Sequence, residues 1–228
     1  MSQNELGLRA RKHARTKLGL LNAFIDELEH KAMEEVRIRD LCERVDISQA
    51  TFFNYFEGKG DLIIYFIQLW SIEQGWAAHR LLEQAGAVAA LRGIFTLTAR
   101  RVEQHPRVMA EILAAQARLE TPPRTHEISL AERRERFAEL DGIDELPAQG
   151  LGSLLPSLID QAVSRGELSP TVDRNLLFVT LSSLFFGTPI ALRHSPELLA
   201  DTWEAQLDQI FGALMPPTGL EPRKGACS

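Results

Sequence analysis

Apolar residues recur at intervals of three and four along almost the whole chain, and this spacing constrains the fold more than any other feature of the sequence. Leu18, Leu21, Ile25 and Leu28 form one such stripe, which places them on one face of a helix. Alternation of apolar and polar residues, the pattern of half-buried strands, is absent. The sequence therefore predicts an all-α fold.

The predicted helices fall into a short group and a long group. Three short segments come first, at about 10–31, 38–44 and 48–55. Longer helices are predicted at about 61–84, 87–104, 106–119, 126–140, 149–166, 172–193 and 196–214, separated by Pro and Gly breaks such as Thr121-Pro122-Pro123 and Gly166. This change of scale predicts a helix-turn-helix domain at 1–60, a larger helical domain at 61–215 and a disordered tail at 216–228.

The helix predicted at 172–193 is unusually apolar, with the run LLFVTLSSLFFGTPIAL. A helix that is apolar on nearly every face is buried on nearly every side. One chain of 228 residues offers limited core to surround it. We therefore expect a homodimer formed through the helices at 172–193 and 196–214.

Several classes of protein are excluded by composition. No run of about 18 apolar residues occurs, and the polar, basic start has no signal-peptide pattern, so we expect a cytoplasmic protein without a membrane span. Cys42 and Cys227 are too far apart for a disulfide framework or a zinc spacing. We expect no cofactor and no metal site.

The net charge of −6 argues at first against a nucleic-acid partner, since phosphates need a positive surface. Residues 1–60 are neutral, with ten basic and ten acidic side chains, and the remainder carries the deficit. The N-terminus itself is basic, because only Glu5 faces the cations Arg9, Arg11, Lys12, Arg15 and Lys17. A solvated basic tail and a DNA-binding arm are both consistent with this pattern.

Residues 38–62, IRDLCERVDISQATFFNYFEGKGDL, carry the most specific signal. Ile38, Leu41 and Val45 share one helical face, and Asp46 then occupies a sharp turn, where Asp tolerates left-handed backbone. Ser48 is placed to cap the next helix. The sequence therefore predicts two short helices joined by a tight turn.

The second of these helices has an apolar inner face and a polar outer face. Phe52 and Phe56 are four residues apart and are expected to pack inward, which turns Gln49, Ala50, Phe53 and Asn54 outward. Gln and Asn side chains read adenine in the major groove through paired hydrogen bonds. Thr51, Tyr55 and Lys59 would supply a hydroxyl or a cation to phosphates. The alternative is an ordinary helical hairpin with a solvated polar face.

Residues 15–62 resemble the DNA-binding domain of TetR-family repressors, which follows the approximate pattern TVRDIAxxAGVSxxTLYxYFxxKxxL. The segments at 38–42, 45–48, 51–56 and 59–62 match it without a gap. The departures from it include Asp46 in place of the usual Gly, Cys42 in place of the usual Ala, and Phe53 in place of a Tyr whose hydroxyl normally reaches a phosphate.

The resemblance implies a repressor that binds palindromic double-stranded operator DNA as a homodimer and is released by a small-molecule effector. Together with the pattern of the two short helices, it makes the candidate DNA-binding residues Arg37, Arg39, Ser48, Gln49, Ala50, Thr51, Phe53, Asn54, Tyr55 and Lys59. It also implies an effector cavity among the middle helices. Side chains there that combine aromatic surface with hydrogen-bonding groups, as ligand pockets do, are Trp76, His79, Phe95, Thr98, Arg101 and His105. Core packing is the competing explanation for each of them.

Arg37 stands where the family prefers a Thr cap, and with Arg39 it puts two cations at the positive end of a helix dipole. We hypothesise that both arginines grip the DNA backbone, although exposed arginines at a frayed helix end would look the same.

The remaining sequence offers little for catalysis. His126-Glu127 lacks the second His of a zinc-protease helix, Gly150-Leu151-Gly152 follows no predicted strand, and no Ser lies in a nucleophile elbow. The charged stretch from Glu132 to Glu139 is typical of a solvated helix face. Two alternatives to a repressor stay open: a homodimeric helical interaction protein with a degenerate DNA-binding hairpin, and a thiol sensor that uses Cys42.

Overall fold

The computed structural model describes residues 7–118, 126–146 and 150–216, and its regular structure over these ranges is entirely helical. The all-α prediction is confirmed. The helices are α1 (Leu8–Leu28), α2 (Ile38–Val45), α3 (Gln49–Phe53), α4 (Lys59–Ala85), α5 (Ala87–Gln104), α6 (Pro106–Ala117), α7 (Leu130–Arg136), α8 (Leu151–Ser164), α9 (Arg174–Ala191) and α10 (Leu199–Leu214). We call α1–α3 the head and α4–α10 the body.

Two boundaries differ clearly from those predicted. Helix α1 begins at Leu8, so the cations from Arg9 onward are helical rather than part of a tail. Helix α7 has seven residues instead of the predicted fifteen or so, because Phe137 leaves helical backbone directly after it. The predicted break at Thr121-Pro122-Pro123 lies outside the described residues, and so do residues 217–228 of the tail predicted at 216–228.

The head has its own apolar core and a sharp turn. Phe24, Leu41 and Phe52 are completely buried in it. Asp46 ends α2 in left-handed backbone, with φ 55° and ψ 51°, and the Ile47 amide donates to the Cys42 carbonyl across the turn at 3.0 Å. This closure is a common helix ending, and it confirms the predicted turn and fixes the direction in which α3 leaves α2.

Helix α5 lies at the centre of the body, packed against α4, α8 and α10. Its Phe95 is buried and meets the rings of Trp203 and Phe185 edge-on, at centroid distances of 5.2 and 5.5 Å. Glu167 accepts hydrogen bonds from the Ala87 and Val88 amides at 2.9 and 2.8 Å. These two N–H groups, in the first turn of α5, have no partner within the helix. Gly166 just before it adopts left-handed backbone, φ 72°, and ends the α8 segment as predicted.

Helix α7 joins the body to the head through a buried ion pair. Lys17 of α1 lies 2.5 Å from the carboxylate of Glu132, and both side chains are almost fully buried. Tyr65 of α4 donates to the same carboxylate at 2.6 Å. The prediction of a solvated face is therefore wrong at Glu132, because a partner remote in sequence takes this carboxylate into the core.

Helix α9 is apolar on two sides, but only one is covered within the chain. Leu177, Leu181 and Phe185 are buried in the body. The opposite side exposes four large apolar side chains, Leu176, Val179, Phe186 and Ile190, by 40 to 64%. We call these four residues the α9 stripe.

Candidate nucleic-acid interface and ligand cavities

The outer face of α3 is exposed as predicted. Gln49, Ala50 and Asn54 are open to solvent, and Phe53 is 54% exposed. Phe52 and Phe56 point inward, with at most 1% exposed and their ring centroids 5.8 Å apart. An amide at each end of a short outward face is thus available to a partner molecule.

Ser48 caps α3. Its hydroxyl accepts from the Thr51 amide at 3.1 Å and lies 2.9 Å from the Thr51 hydroxyl. The cap confirms the predicted start of the helix. The Ser48 and Thr51 hydroxyls are also hydrogen-bonded to each other. Each therefore has only part of its hydrogen-bonding capacity left for another molecule.

The two arginines at the start of α2 differ in their surroundings. Arg37 is exposed at the cap position and forms no side-chain cap. The Nε of Arg39 lies 3.7 Å from the Asp40 carboxylate and 3.5 Å from that of Glu43. Carboxylates beside Arg39 already offset its charge, so Arg37 is the better candidate for a phosphate contact.

Lys59 is engaged inside the protein. Its ammonium donates to the backbone carbonyls of Met33, Glu34 and Val36 at 2.6, 3.0 and 2.9 Å. An ammonium has three N–H donors, and all three are used here. Lys59 therefore binds α4 to the segment before α2. This role replaces the predicted contact with phosphate.

The N-terminal half of α1 lies beside the end of α3. The rings of His13 and Tyr55 meet edge-on at 4.6 Å. Arg11, Lys12 and Arg15, on the same helix, line a groove open to solvent. These cations extend the candidate interface beyond α2 and α3, whereas Lys17 is excluded from it by the buried pair with Glu132.

The six predicted effector residues do not converge on one cavity among the described residues. Phe95 and Thr98 are core residues, and the Thr98 hydroxyl donates to the Ile94 carbonyl at 2.7 Å. His79 is exposed beside Glu83, and Trp76 donates to the Asp141 carbonyl at 2.8 Å. In the described part of the chain, Arg101 and His105 are the two of the six that line a common space.

Two cavities among the described residues border the body and are candidates for a ligand site. One, of about 300 Å³, lies between α5–α6 and the α9–α10 end of the body, and its walls include Met109, Leu113, Ile190 and Leu199. Arg193 is its one charged lining residue, so we call it the apolar cavity. The other, of about 190 Å³, lies between the head and the body and contains Arg101 and His105; we call it the head–body cleft.

The described residues contain neither an arranged metal site nor a reactive cysteine. No cluster of three His, Cys, Asp or Glu side chains there is arranged to hold a metal ion. Burial raises the pKa of the Cys42 thiol, and the neighbouring Glu43 raises it further, which keeps the thiol protonated and unreactive. None of the helices described is both long and apolar enough to cross a membrane.

The sequence of the head matches a known family. Residues 20–66 fit the model of the bacterial regulatory proteins of the tetR family, and this segment contains the end of α1, all of α2 and α3, and the start of α4. Over this segment the chain resembles the DNA-binding domain of TetR-family regulators. TetR-family proteins are transcription regulators that carry a DNA-binding helix-turn-helix. No curated protein is a significant match in sequence.

Solved structures resemble this chain along most of its length. Thermus thermophilus FadR, a TetR-family transcriptional repressor in complex with lauroyl-CoA, gives a TM-score of 0.62 at 17% identity, over 90% of this chain and 98% of that one. A protein of unknown function from Rhodococcus sp. RHA1 gives 0.58 at 14%, over 95% and 100%. A putative transcriptional regulator from Pseudomonas aeruginosa PAO1 gives 0.53 at 17%, over 86% and 90%. At these identities the likeness establishes the fold.

Sequence reasoning missed the lining of the apolar cavity and, apart from Arg101 and His105, that of the head–body cleft. The walls of the apolar cavity come largely from α6 and the end of α9, where an ordinary core pattern gives no sign of an unfilled space. Arg136, which lines the head–body cleft, is one of several arginines in α7. Neither set carries a local signal, because long-range packing creates both cavities.

Proposed function

We propose that the chain is a homodimeric repressor that binds a palindromic operator through α3 and is released by a small apolar effector. The observation that carries this proposal is the exposed outer face of α3, held in a fixed direction by the Asp46 turn and the Ser48 cap. A helix of this kind enters the major groove with its first residues against the base edges.

In this proposal α3 reads bases and its surroundings hold the backbone. Gln49 and Asn54 contact adenine, and Ala50 and Phe53 pack on thymine methyl groups. Arg37 and the basic start of α1 contact phosphates, which fix the register without reading sequence. Phe53 lacks the hydroxyl of the usual Tyr, so one phosphate contact is replaced by an apolar one.

The α9 stripe supports the dimer. Leu176, Val179, Phe186 and Ile190 repeat at helical spacing and are exposed together, an arrangement that favours a second copy of the same surface. A two-fold axis through this stripe would present two α3 helices to major grooves about 34 Å apart. Each chain would then read one half of a palindrome.

We place the effector in the apolar cavity. Its lining of Met109, Leu113, Ile190 and other apolar side chains suits a hydrocarbon or aromatic group rather than a sugar. The complex of the similarly folded FadR with lauroyl-CoA supports an effector of apolar character. Effector and DNA then oppose each other through a coupling free energy, typically about 1–3 kcal/mol.

Recognition by α3 is tested with duplexes selected from a random-sequence library and with DNA flanking the chain's own gene. We expect Gln49→Ala and Asn54→Ala each to weaken binding to the selected site by about 1–3 kcal/mol, or roughly 5- to 150-fold. Gln84→Ala, at an exposed position on the far end of α4, is the matched control and should bind as the native chain does.

Failure to enrich any duplex, or equal affinity of all four proteins, would reject the repressor. The exposed phenyl ring of Phe53 would then favour the second candidate, a homodimeric helical protein whose head binds another protein.

A further inference from the structure

The head–body cleft is a second cavity, separate from the proposed effector site, and it has an amphipathic lining. Leu21 and Ile25 of α1, Phe66 of α4 and Met109 of α6 supply apolar walls. Arg101, His105 and Arg136 supply cationic or hydrogen-bonding groups in the same space. Its volume of about 190 Å³ suits a ligand smaller than the drug-sized compounds that fill typical pockets of about 300–1,000 Å³.

Most charges around this cleft already have partners. Arg101 donates to both carboxylate oxygens of Glu73, at 3.0 and 3.2 Å. His105 contacts Glu29, and Asp26 at the cleft's edge lies 2.7 Å from Arg44. Because each of these pairs joins a cationic or imidazole side chain to a carboxylate, together they add little net charge to the cleft.

Arg136 is the exception. It lines the cleft and the small space that adjoins it, beside Phe66, and is half-buried. In the part of the chain that the structure describes it forms neither a hydrogen bond nor an ion pair. A guanidinium that is half removed from water and unpaired is matched best by a carboxylate, which it can bind through two parallel hydrogen bonds.

We propose that the head–body cleft binds a small monocarboxylate with an apolar or aromatic body. The carboxylate pairs with Arg136, and the body of the ligand packs on Leu21, Phe66 and Met109. A single negative charge is favoured, because Arg136 is the one cation of the cleft left without a partner among the described residues. Benzoate has this combination of size, charge and apolar surface.

Binding is tested by calorimetry with benzoate, its neutral analogue benzamide and inorganic phosphate. We expect one benzoate per chain, with benzamide and phosphate at least about tenfold weaker, since the analogue loses a charged hydrogen-bonded pair and phosphate has no apolar body. Absence of heat from benzoate up to about 10 mM, where a Kd of millimolar order is detectable, would overturn the proposal. Equal binding of the three compounds would overturn it too.

The site is located with two independent variants. Arg136→Gln should weaken benzoate about tenfold or more, while Arg100→Gln, an exposed arginine on α5, should leave the affinity unchanged. Asn22→Trp fills the cleft from the exposed surface of α1 without altering a charge, and it should also abolish binding. Native affinity in both of these variants would place benzoate elsewhere and reject the assignment.

A consequence for DNA binding rests on the proposed function. Because α1 forms one wall of the cleft, its occupant touches the head directly, and we expect benzoate to change the affinity for the selected duplex. The calorimetric result does not depend on DNA, so a failure of the repressor proposal and a failure of the carboxylate site are distinguishable.

Discussion

Lys59 and Arg37 are two basic residues of the candidate interface that the structure uses in opposite ways. The Lys59 ammonium donates to three backbone carbonyls and holds the start of α4 against the loop before α2. Arg37 is exposed at an uncapped helix end. Both match or flank the same family pattern, so only their contacts tell them apart.

The two cations should respond differently to substitution. We expect Arg37→Ala to lower the slope of log affinity against log salt by about 1, because one phosphate contact is lost. Lys59→Ala should leave that slope unchanged but lower the free energy of unfolding by about 2 kcal/mol, because three carbonyls lose a charged donor. Salt titrations of duplex binding and urea unfolding measure the two effects. An unchanged slope in Arg37→Ala would rule out its phosphate contact.

At the scale of elements, Glu132 determines how α7 meets α1. Its carboxylate is bound by Lys17, Tyr65 and Ser129 and also closes the cap of its own helix. Burial alone would raise the pKa of Glu132, but the hydrogen bonds from Lys17, Ser129 and Tyr65 outweigh it and hold the pKa below its ordinary value. A carboxylate whose folded pKa is lowered stabilises the fold above its unfolded pKa and ceases to do so as the pH falls.

Replacing Glu132 should therefore destabilise the protein in a pH-dependent way. We expect Glu132→Gln to lower the free energy of unfolding by about 3–5 kcal/mol at neutral pH, since it leaves Lys17 buried without a counter-charge. The difference from the native chain should shrink as the pH falls below about 4.5, the ordinary value, toward the lowered folded pKa. Urea unfolding between neutral and acid pH measures it.

Glu135→Gln is the control for that measurement. Glu135 lies in the same helix and pairs with Arg15 at the surface, so its loss should cost at most about 1 kcal/mol. Equal losses in the two variants, or a difference independent of pH, would contradict the role given to Glu132.

The helix-turn-helix was predictable because its signals are local. The Asp46 turn, the Ser48 cap and the inward pair Phe52 and Phe56 are each set by neighbours within a few residues, and all three are confirmed. Glu132 was not predictable, since a glutamate among arginines resembles a solvated one until Lys17 is placed beside it. The prediction of the effector residues was wrong at Phe95 for the same reason. An aromatic side chain of the kind that lines ligand pockets is a core residue here, because Trp203 packs against it.

At the scale of the whole molecule, the α9 stripe is an apolar surface that stays exposed to solvent in a single chain. Its four large apolar side chains lie on the helix that the sequence marks as most apolar. Covering the stripe with a second copy would remove it from water and would complete the burial predicted from the sequence.

A charge within the stripe should dissociate the dimer. We expect Val179→Glu to weaken self-association by two orders of magnitude or more, because two carboxylates would be desolvated near the two-fold axis. Sedimentation equilibrium measures this, with Thr96→Glu at an exposed position of α5 as the control. A Val179→Glu protein that remains dimeric would show that the chains meet through another surface.

Helix α4 is a single uninterrupted rod from the head to the far side of the body. Its 27 residues span about 40 Å at a rise of 1.5 Å each. Lys59 fixes the first turn of α4 to the head. If the helix rotates by about 5° about its far end, this first turn moves by about 3.5 Å. That displacement is nearly a third of the width of a major groove, about 12 Å. In the proposed repressor, the length of this one helix would therefore convert a small rearrangement in the body into a larger displacement of α3.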